Sequence, residues 1–330
     1  MNRPVRWGIL STAKIAETAF IPALRQSTRG EVVAVASRSR ERAEAFAGRH
    51  RLPMAFGSYA ELLACGDVDA IYNPMPNTLH AEWTVAAARS GKHVFCEKPL
   101  AMSPAEAELM IEACAAAGVV LVEAFVFLFH PQTLKLRQLL DRGAIGRLLH
   151  VHAYMTFSVR RPSENIRLNR SLGGGSLLDT GGYPITFSRF AFGEEPVSVQ
   201  AETHIDPLYG VDTRAGLILR FPGDGIATLS TGLDAVGGPG AALFGDEGWI
   251  ELPTPYHPTP KSEFTLHTRT ATETFEFDTG VVPFSPAIEH FHTCVAEGER
   301  PLVGPENALG TLRVIEAALE AGRTGQRIEV

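Results

Sequence analysis

Short apolar segments alternate with helix-patterned segments throughout the first 123 residues. Each apolar segment is the length of one strand, and the stretches between them have the apolar spacing of amphipathic helices. This alternation favours a parallel sheet with right-handed crossovers and helices on both faces. We therefore predict a doubly wound α/β nucleotide-binding domain over residues 1–123, with its ligand at the carboxyl ends of the strands. The predicted strands are Val5 to Leu10, Val32 to Ala36, Ala70 to Tyr72, His93 to Cys96 and Val119 to Val122, and the predicted helices are Ile15 to Arg25, Arg40 to Arg49, Tyr59 to Ala64, Leu79 to Ser90 and Ala105 to Ala117.

The pattern changes at residue 124. Strand-like segments follow one another between Val197 and Phe277 with few helices between them, which predicts a large, mainly antiparallel sheet. We expect residues 124–330 to form an α+β domain, with a surface loop at the proline-rich segment Pro253 to Pro260. The other predicted elements are an extended run at Leu148 to Phe157 and helices at Pro131 to Arg142, Leu178 to Phe192, Ser285 to Glu297 and Pro305 to Gly322.

Charge and composition exclude several classes of protein. The 30 basic and 37 acidic residues give a formal net charge of -7, which argues against nucleic-acid binding. No apolar run approaches the roughly 20 residues of a membrane span, and the N-terminus does not resemble a signal peptide. The 4 cysteines form no C-x-x-C pair, and the histidines show no metal-ligand spacing. We expect a cytoplasmic protein with reduced thiols and no metal.

The turn after the first strand is the first candidate site. A dinucleotide fingerprint would place three glycines here, so that the backbone can approach the pyrophosphate. The chain has Ser11-Thr-Ala13-Lys-Ile-Ala16 instead, with a small residue at each of those positions. The location predicts a nucleotide site, and tight strand–helix packing is the alternative.

The end of the second strand indicates which dinucleotide binds. An acidic residue here would bind a ribose hydroxyl, but the chain has Ser37-Arg38-Ser39-Arg40. A guanidinium beside two hydroxyls suits a phosphate monoester. We predict NADP as the cofactor, with NAD as a possible second cofactor. The alternative is a solvated helix start with surface arginines.

Two further motifs carry groups suited to proton transfer. Lys98 follows the predicted strand His93 to Cys96 directly, where open α/β sheets bind ligands. Asp179 and Tyr183 lie four residues apart, and the following Pro184 places them at a helix start. Tyr183 is therefore a candidate acid/base. The alternatives are an ion pair between Glu97 and Lys98, an Asp179 helix cap and a packing tyrosine.

Taken together, these motifs resemble the Gfo/Idh/MocA oxidoreductase family over essentially the whole chain. The resemblance rests on the start Trp7-Gly-Ile-Leu-Ser-Thr-Ala-Lys-Ile-Ala, on Asn73-Pro-Met-Pro-Asn77 with His80, on Glu97-Lys98-Pro99, and on the glycine-rich run that leads to Asp179 and Tyr183. A tyrosine at position 183 and an arginine at position 38 are similar to the branch of dihydrodiol dehydrogenases, NADP-dependent xylose dehydrogenases and sugar ketoreductases.

The resemblance implies a role for each matching residue. Lys98 and Tyr183 match the catalytic lysine and the acid/base, and Asp179 matches their acidic partner. Leu128 stands where relatives often carry arginine, which predicts a less polar substrate pocket. The open face of the second sheet is expected to form a homodimer or homotetramer. Positions that match cofactor contacts are Ser11, Thr12, Ala13, Lys14, Ile15, Ser37, Arg38, Pro74, Asn77, His80, Glu97, Lys98 and Arg167.

We therefore predict hydride transfer between NADP(H) and a carbinol or carbonyl carbon of a sugar, cyclic polyol or dihydrodiol. Tyr183 would take the hydroxyl proton while Lys98 holds the substrate oxygen in a crevice between the domains. The alternatives are reduction of a nucleotide-linked ketosugar, glycoside hydrolysis with tightly held NAD, and a non-catalytic NADPH sensor.

Overall fold

The computed structural model describes residues 3–159 and 165–330, which form two compact units. The first unit contains the residues up to Phe129 together with Val281–Ala308, and the second contains His130–Gly280 and Leu309–Val330. The sequence predicted instead a division after residue 123, with cofactor binding in the first domain and substrate binding in the second. That assignment of roles stays a prediction. The segment Val281–Ala308 thus packs with the first unit although it follows most of the second along the chain.

The first unit is built on a six-stranded parallel sheet, which confirms the predicted doubly wound fold. The strand order is β3-β2-β1-β4-β5-β6, in which the order of the strands along the sheet reverses between β1 and β4. Ligands of such sheets bind where the strand order reverses, at the carboxyl ends. The strands are β1 (Val5–Leu10), β2 (Gly30–Ala36), β3 (Met54–Phe56), β4 (Ala70–Asn73), β5 (His93–Cys96) and β6 (Leu121–Glu123).

Serine side chains begin three of the helices in this unit. Ser39, Ser58 and Ser103 each accept a hydrogen bond from a backbone N–H of the first helical turn. The first crossover differs from the prediction, because it starts as a π-helix, Ala16–Phe20, before a single α-helical turn. The α-helices are α1 (Ile21–Leu24), α2 (Arg40–His50), α3 (Tyr59–Leu63), α4 (His80–Arg89) and α5 (Pro104–Ala117), with α8 (Ser285–Glu297) from the late segment.

Helix α8 joins the first unit through buried aromatic contacts. Trp7 of β1 is fully buried, and its Nε1 donates a hydrogen bond to Nε2 of His292 over 3.0 Å. The Phe291 ring lies 4.7 Å from Trp7 and 5.9 Å from Phe95. The six-stranded sheet therefore completes its core with residues from near the end of the chain.

The second unit is built on a nine-stranded sheet with the order β14-β13-β12-β11-β7-β10-β9-β8-β15. The β7–β10 pair is parallel, and the other named pairs are antiparallel, as predicted for a mainly antiparallel sheet. The strands are β7 (Leu148–Thr156), β8 (Ser198–Ile205), β9 (Asp212–Arg220), β10 (Ile226–Gly232), β11 (Pro239–Gly245), β12 (Gly248–Leu252), β13 (Lys261–Thr268), β14 (Thr272–Asp278) and β15 (Ile328–Glu329).

One face of this sheet packs on helices, and the other is exposed in the single chain. Along β9, buried and exposed residues alternate, and Ile218 on the open face is 44% exposed. Neighbouring rings on the open face form a row across β7, β11, β12 and β13, made by His150, Phe244, Trp249 and His267. The remaining helices are α6 (Pro131–Asp141), α7 (Gly182–Phe192) and α9 (Glu306–Thr324). Among the described residues, no helix combines the length and apolarity needed to cross a membrane.

Candidate active site

The turn after β1 has a backbone that ordinarily favours glycine. Ser11 has a φ of +86°, in the left-handed region that side chains rarely adopt. Its backbone N–H donates to the carbonyl of Ala36 at the end of β2. Its hydroxyl oxygen is buried and has no hydrogen-bond partner among the described residues. A buried hydroxyl of this kind is unfavourable unless a ligand satisfies it, so the turn fits a bound phosphate-bearing molecule.

A cavity of about 360 Å³ opens beside this turn, at the carboxyl ends of β1 and β2. Of the described residues that line it, none is acidic, and two are arginines. This set of two guanidiniums and several hydroxyls fits a phosphate monoester, which is the group that distinguishes NADP from NAD. The lining residues are Ser11, Thr12, Ser37, Arg38, Ser39, Arg42 and Tyr59.

Two of these lining residues were missed by sequence reasoning. Arg42 lies in the first turn of α2, where the Ser39 hydroxyl accepts a hydrogen bond from its backbone N–H. The Ser39 cap is a local signal that would have placed Arg42 beside Arg38. Tyr59 comes from the start of α3, 21 residues after Arg38, so no local spacing indicates it. Burial raises the pKa of Tyr59, while Arg38 lowers it through its charge and a side-chain hydrogen bond.

The carboxyl ends of β4 and β5 gather the second group of predicted site residues. Tyr72 donates a hydrogen bond to Oε1 of Glu97 over 2.7 Å, and the Glu97 backbone N–H donates to the carbonyl of Asn73. Lys98 follows directly, and the Lys98–Pro99 peptide is cis. The carboxyl ends of β4 and β5 lie at the same end of the sheet as the turn after β1. The predicted residues at this end are Pro74, Asn77, His80, Glu97 and Lys98.

The buried side chain of His80 contacts the backbone at this end of the sheet. It is 1% exposed, and its Nδ1 and Nε2 each lie 2.8 Å from a backbone carbonyl oxygen, of Pro99 and Met75. Burial lowers its pKa, and these carbonyl groups oppose the shift. The amide of Asn73 donates to the carbonyl of His80 and to Thr84. His80 thus braces the backbone next to Lys98, and Asn73 is a supporting residue to which the sequence analysis gave no role.

The other predicted residues of the first unit differ in accessibility. Lys14 and Ile15 are exposed in the turn, whereas Ala13 is half-buried. Leu128 is 3% exposed and lies in a 3-10 helix, Val126–Phe129. Its effect on the polarity of a substrate pocket stays a prediction.

In the second unit, the glycine-rich run brings Arg167 and Asp179 together. Arg167 Nε lies 2.7 Å from Oδ2 of Asp179, so these two predicted residues form an ion pair. A Cβ on Gly174 would lie 2.5 Å from the Arg167 carbonyl oxygen, and Gly175 has a φ of +127°. The glycines therefore allow the close backbone approach that places the guanidinium on the carboxylate.

Asp212 fixes the start of the helical segment that carries Asp179 and Tyr183. It is 6% exposed, and its Oδ2 accepts hydrogen bonds from the Ser176 hydroxyl and the Leu177 backbone N–H, each over 2.7 Å. Burial raises its pKa, and these hydrogen bonds oppose the shift. Sequence reasoning missed Asp212, because it lies on β9, far along the chain.

The helix start itself differs in detail from the prediction. Asp179 lies in a π-helical turn, Leu177–Gly181, and Tyr183 lies in the first turn of α7 with Pro184. The two residues therefore do not share one continuous α-helix, although their helix-start position is confirmed. Tyr183 is half-buried. Among the described residues, no cluster of His, Cys, Asp and Glu is suited to a metal ion.

Comparison with known proteins gives matches over nearly the whole chain. Residues 5–125 match the family model described as an oxidoreductase family with an NAD-binding Rossmann fold. Residues 133–251 match the model described as the GFO/IDH/MocA C-terminal domain. A D-xylose 1-dehydrogenase (NADP(+)) from Haloferax volcanii is 35% identical over 98% of this chain and 99% of its own length.

Two solved structures have the same fold. The aldose-aldose oxidoreductase from Caulobacter crescentus, complexed with glycerol, has a TM-score of 0.92 and 29% identity, covering 99% of this chain and 100% of that one. A 3-ketoreductase from Actinomadura kijaniata, in complex with NADP and TDP-benzene, has a TM-score of 0.89 and 30% identity, covering 96% and 98%.

Proposed function

Because the chain belongs to the Gfo/Idh/MocA family of NAD(P)-dependent oxidoreductases, we propose that it oxidises or reduces one carbon of a sugar, cyclic polyol or dihydrodiol with NADP(H). The observation that carries the cofactor assignment is the cavity beside the β1 turn. It joins Arg38 and Arg42 to the unsatisfied hydroxyl of Ser11. A 2′-phosphate would find two cations and hydroxyl donors there, whereas NAD has only a ribose hydroxyl to offer.

The substrate class rests on the relatives. A D-xylose dehydrogenase, an aldose-aldose oxidoreductase and a 3-ketoreductase each share about a third of their residues with this chain. The first two names describe oxidation or reduction of an aldose, and the third describes reduction of a ketone, so all three interconvert a hydroxyl and a carbonyl group. We propose the same exchange here, with a free sugar or polyol as first candidate and a nucleotide-linked ketosugar as second, favoured by the ketoreductase structure.

When bound, the nicotinamide supplies the hydride acceptor or donor. In the oxidative direction, we propose that Tyr183 takes the proton of the substrate hydroxyl and that Lys98 hydrogen-bonds the substrate oxygen. The Arg167–Asp179 ion pair places a carboxylate one turn before Tyr183 and holds it in one position. We therefore assign Asp179 to positioning, and Arg167 acts through it.

A substrate screen tests this function directly. NADP+ reduction is followed at 340 nm with aldoses, polyols and trans-dihydrodiols, and NADPH oxidation is followed with keto-sugars. We expect turnover on one of these chemical classes with NADP(H) preferred over NAD(H). A protein that binds NADPH and yet turns over none of them would contradict the proposal, and release of sugar from a glycoside without net cofactor change would indicate the glycosidase alternative.

We also propose that the chain assembles as a homodimer or homotetramer through the open face of the second sheet. The ring row on that face contains Phe244 and Trp249, residue types that are enriched at interfaces, and Phe244 is 39% exposed in the single chain. Light scattering at micromolar concentration should give at least twice the monomer mass. Trp249→Glu should shift it to the monomer. A strict monomer before mutation would contradict the assignment. A cytoplasmic location, without nucleic-acid or membrane partners, is part of the same proposal.

A further inference from the structure

The proline-rich segment Pro253–Pro260 is fixed to the second unit at both ends. The Gln132 side chain, fully buried at the start of α6, donates to the Thr254 carbonyl over 3.1 Å. The Thr279 backbone N–H donates to the Pro260 carbonyl over 2.9 Å. Prolines restrict φ along the segment, and several of its residues are buried. The sequence predicted a surface loop, and Pro253, His257, Thr259 and Pro260 are exposed, while Pro255, Tyr256 and Pro258 are buried.

Two consecutive rings of this loop contact Tyr183. The Tyr256 ring is fully buried, with its centroid 5.6 Å from that of Tyr183, and it also packs edge-on against Phe187 of α7. The His257 ring centroid lies closer, at 4.8 Å from Tyr183, and His257 is exposed. Tyr183, the candidate acid/base, therefore contacts two rings: the buried phenol ring of Tyr256 and the solvent-accessible imidazole of His257.

These two rings differ in what they can do chemically. Burial raises the pKa of Tyr256 well above its usual range, so this phenol stays neutral and supports Tyr183 by packing. A neutral imidazole offers one N–H donor and one acceptor nitrogen. An aromatic hydrocarbon ring would be sufficient for contact alone. His257 is exposed and therefore adds hydrogen-bonding capacity that solvent reaches beside the ring of Tyr183.

We propose that His257 determines substrate specificity by hydrogen-bonding the oxygen on the carbon next to the reacting carbon. This inference rests on the proposed function, in which the reacting oxygen contacts Tyr183. Adjacent oxygens of a diol sit on carbons joined by a single bond, so an oxygen next to the reacting one is within reach of a ring that contacts Tyr183. The site thereby selects vicinal diols and α-hydroxy carbonyl compounds over simple alcohols and ketones.

Matched substrate pairs test this assignment. Each pair differs by one oxygen: D-glucose with 2-deoxy-D-glucose, and trans-cyclohexane-1,2-diol with cyclohexanol. His257→Phe keeps a ring against Tyr183 and removes both nitrogens, whereas His257→Gln keeps a donor and an acceptor. We expect His257→Phe to lower kcat/KM about 3- to 10-fold for the vicinal member, the value of one hydrogen bond, and to leave the deoxy member unchanged. His257→Gln should restore most of the discrimination.

His204→Phe, at an exposed histidine of β8, is the control for the substitution itself and should change neither member. An equal loss on both members, or a loss that added imidazole buffer reverses, would overturn the proposal in favour of packing or proton transfer. No loss on either member would overturn it as well. These results differ from failure of the proposed function, in which the unmutated protein turns over no aldose, polyol, dihydrodiol or keto-sugar with NADP(H) and both assignments fall.

Discussion

The cavity beside the β1 turn predicts that Arg38 and Arg42 contribute unequally to NADP preference. Arg38 lies close enough to Tyr59 to lower the pKa of that phenol, so its guanidinium has a partner inside the cavity. Both guanidiniums are exposed and screened by solvent, so Tyr59 beside Arg38 makes the difference between them. A hydrogen bond to a charged group contributes about 1.5 to 3 kcal/mol, which is roughly 10- to 100-fold in affinity. We expect Arg38→Ala to lower the affinity for NADP by an amount within that range, and Arg42→Ala to lower it by about 10-fold.

Both substitutions should leave NAD affinity nearly unchanged, because that cofactor lacks the 2′-phosphate. Calorimetry with adenosine 2′,5′-bisphosphate and with AMP gives a readout that does not depend on turnover. The bisphosphate should bind the unmutated protein and lose affinity in each variant, while AMP should show no difference. In Arg38→Ala/Arg42→Ala, the preference for NADP should disappear.

Arg49 is the matched control, since it lies in the last turn of the same helix and outside the cavity. Its guanidinium lies 5.5 Å from the Phe46 ring centroid. Arg49→Ala should therefore bind both nucleotides like the unmutated protein. The reasoning is refuted if Arg42→Ala weakens NAD and NADP equally, or if the unmutated protein shows no preference between them.

The remaining predictions concern turnover, backbone packing and acid stability. Tyr183→Phe and Lys98→Met should each lower kcat by about 10²- to 10⁴-fold, with NADPH binding retained. The double variant should be little worse than the poorer single variant, because the two residues act as a unit. Near-full turnover of Tyr183→Phe would contradict the acid/base role. Gly174→Ala should lower both the thermal midpoint and kcat because its Cβ meets the Arg167 carbonyl, whereas Gly216→Ala, with open space around it, should change neither. Burial lowers the pKa of His292 to about 4 from 6.5, so below pH 6.5 the unfolded chain binds a proton that the folded chain rejects. Stability should therefore fall by up to about 3 kcal/mol between pH 6.5 and pH 4, as measured by denaturant titration, and His292→Gln should reduce that pH dependence; an unchanged slope would rule out this residue as its source.

The strands and helices of the first unit were largely predictable, because each buried parallel strand is a short apolar run. The exception is β3, whose three residues Met54–Phe56 are all half-buried and show no alternation. The π-helical turns Ala16–Phe20 and Leu177–Gly181 were not predictable either. The apolar residues of both turns have nearly the spacing of an α-helix, so the sequence pattern does not distinguish a π-helical turn from an α-helical one.

The candidate site was predictable where a residue follows directly from a strand end or a helix start. Lys98 and Arg38 belong to the first kind, and Tyr183 belongs to the second. Asp212 and Tyr59 were not predictable, because they reach the site from elements that are distant along the chain. Pairing of Arg167 with Asp179 also depends on the glycine backbone path, which leaves no charge pattern in the sequence.

The return of α8 to the first sheet has a consequence for how the chain folds during synthesis. The hydrogen-bond partner of Trp7, His292, lies 285 residues later in the chain. The core of the sheet that is synthesised first is therefore completed by residues that are synthesised almost last. Contacts at such separation are costly to close, and until they form, Trp7 and Phe95 lack the ring of Phe291 that covers them. An emerging chain that stops after β6 would therefore expose an apolar face, and a chaperone that binds apolar surface would find it there. For the same reason, the nucleotide-binding half cannot be transplanted into another protein as one contiguous piece: residues 285–297 have to travel with it.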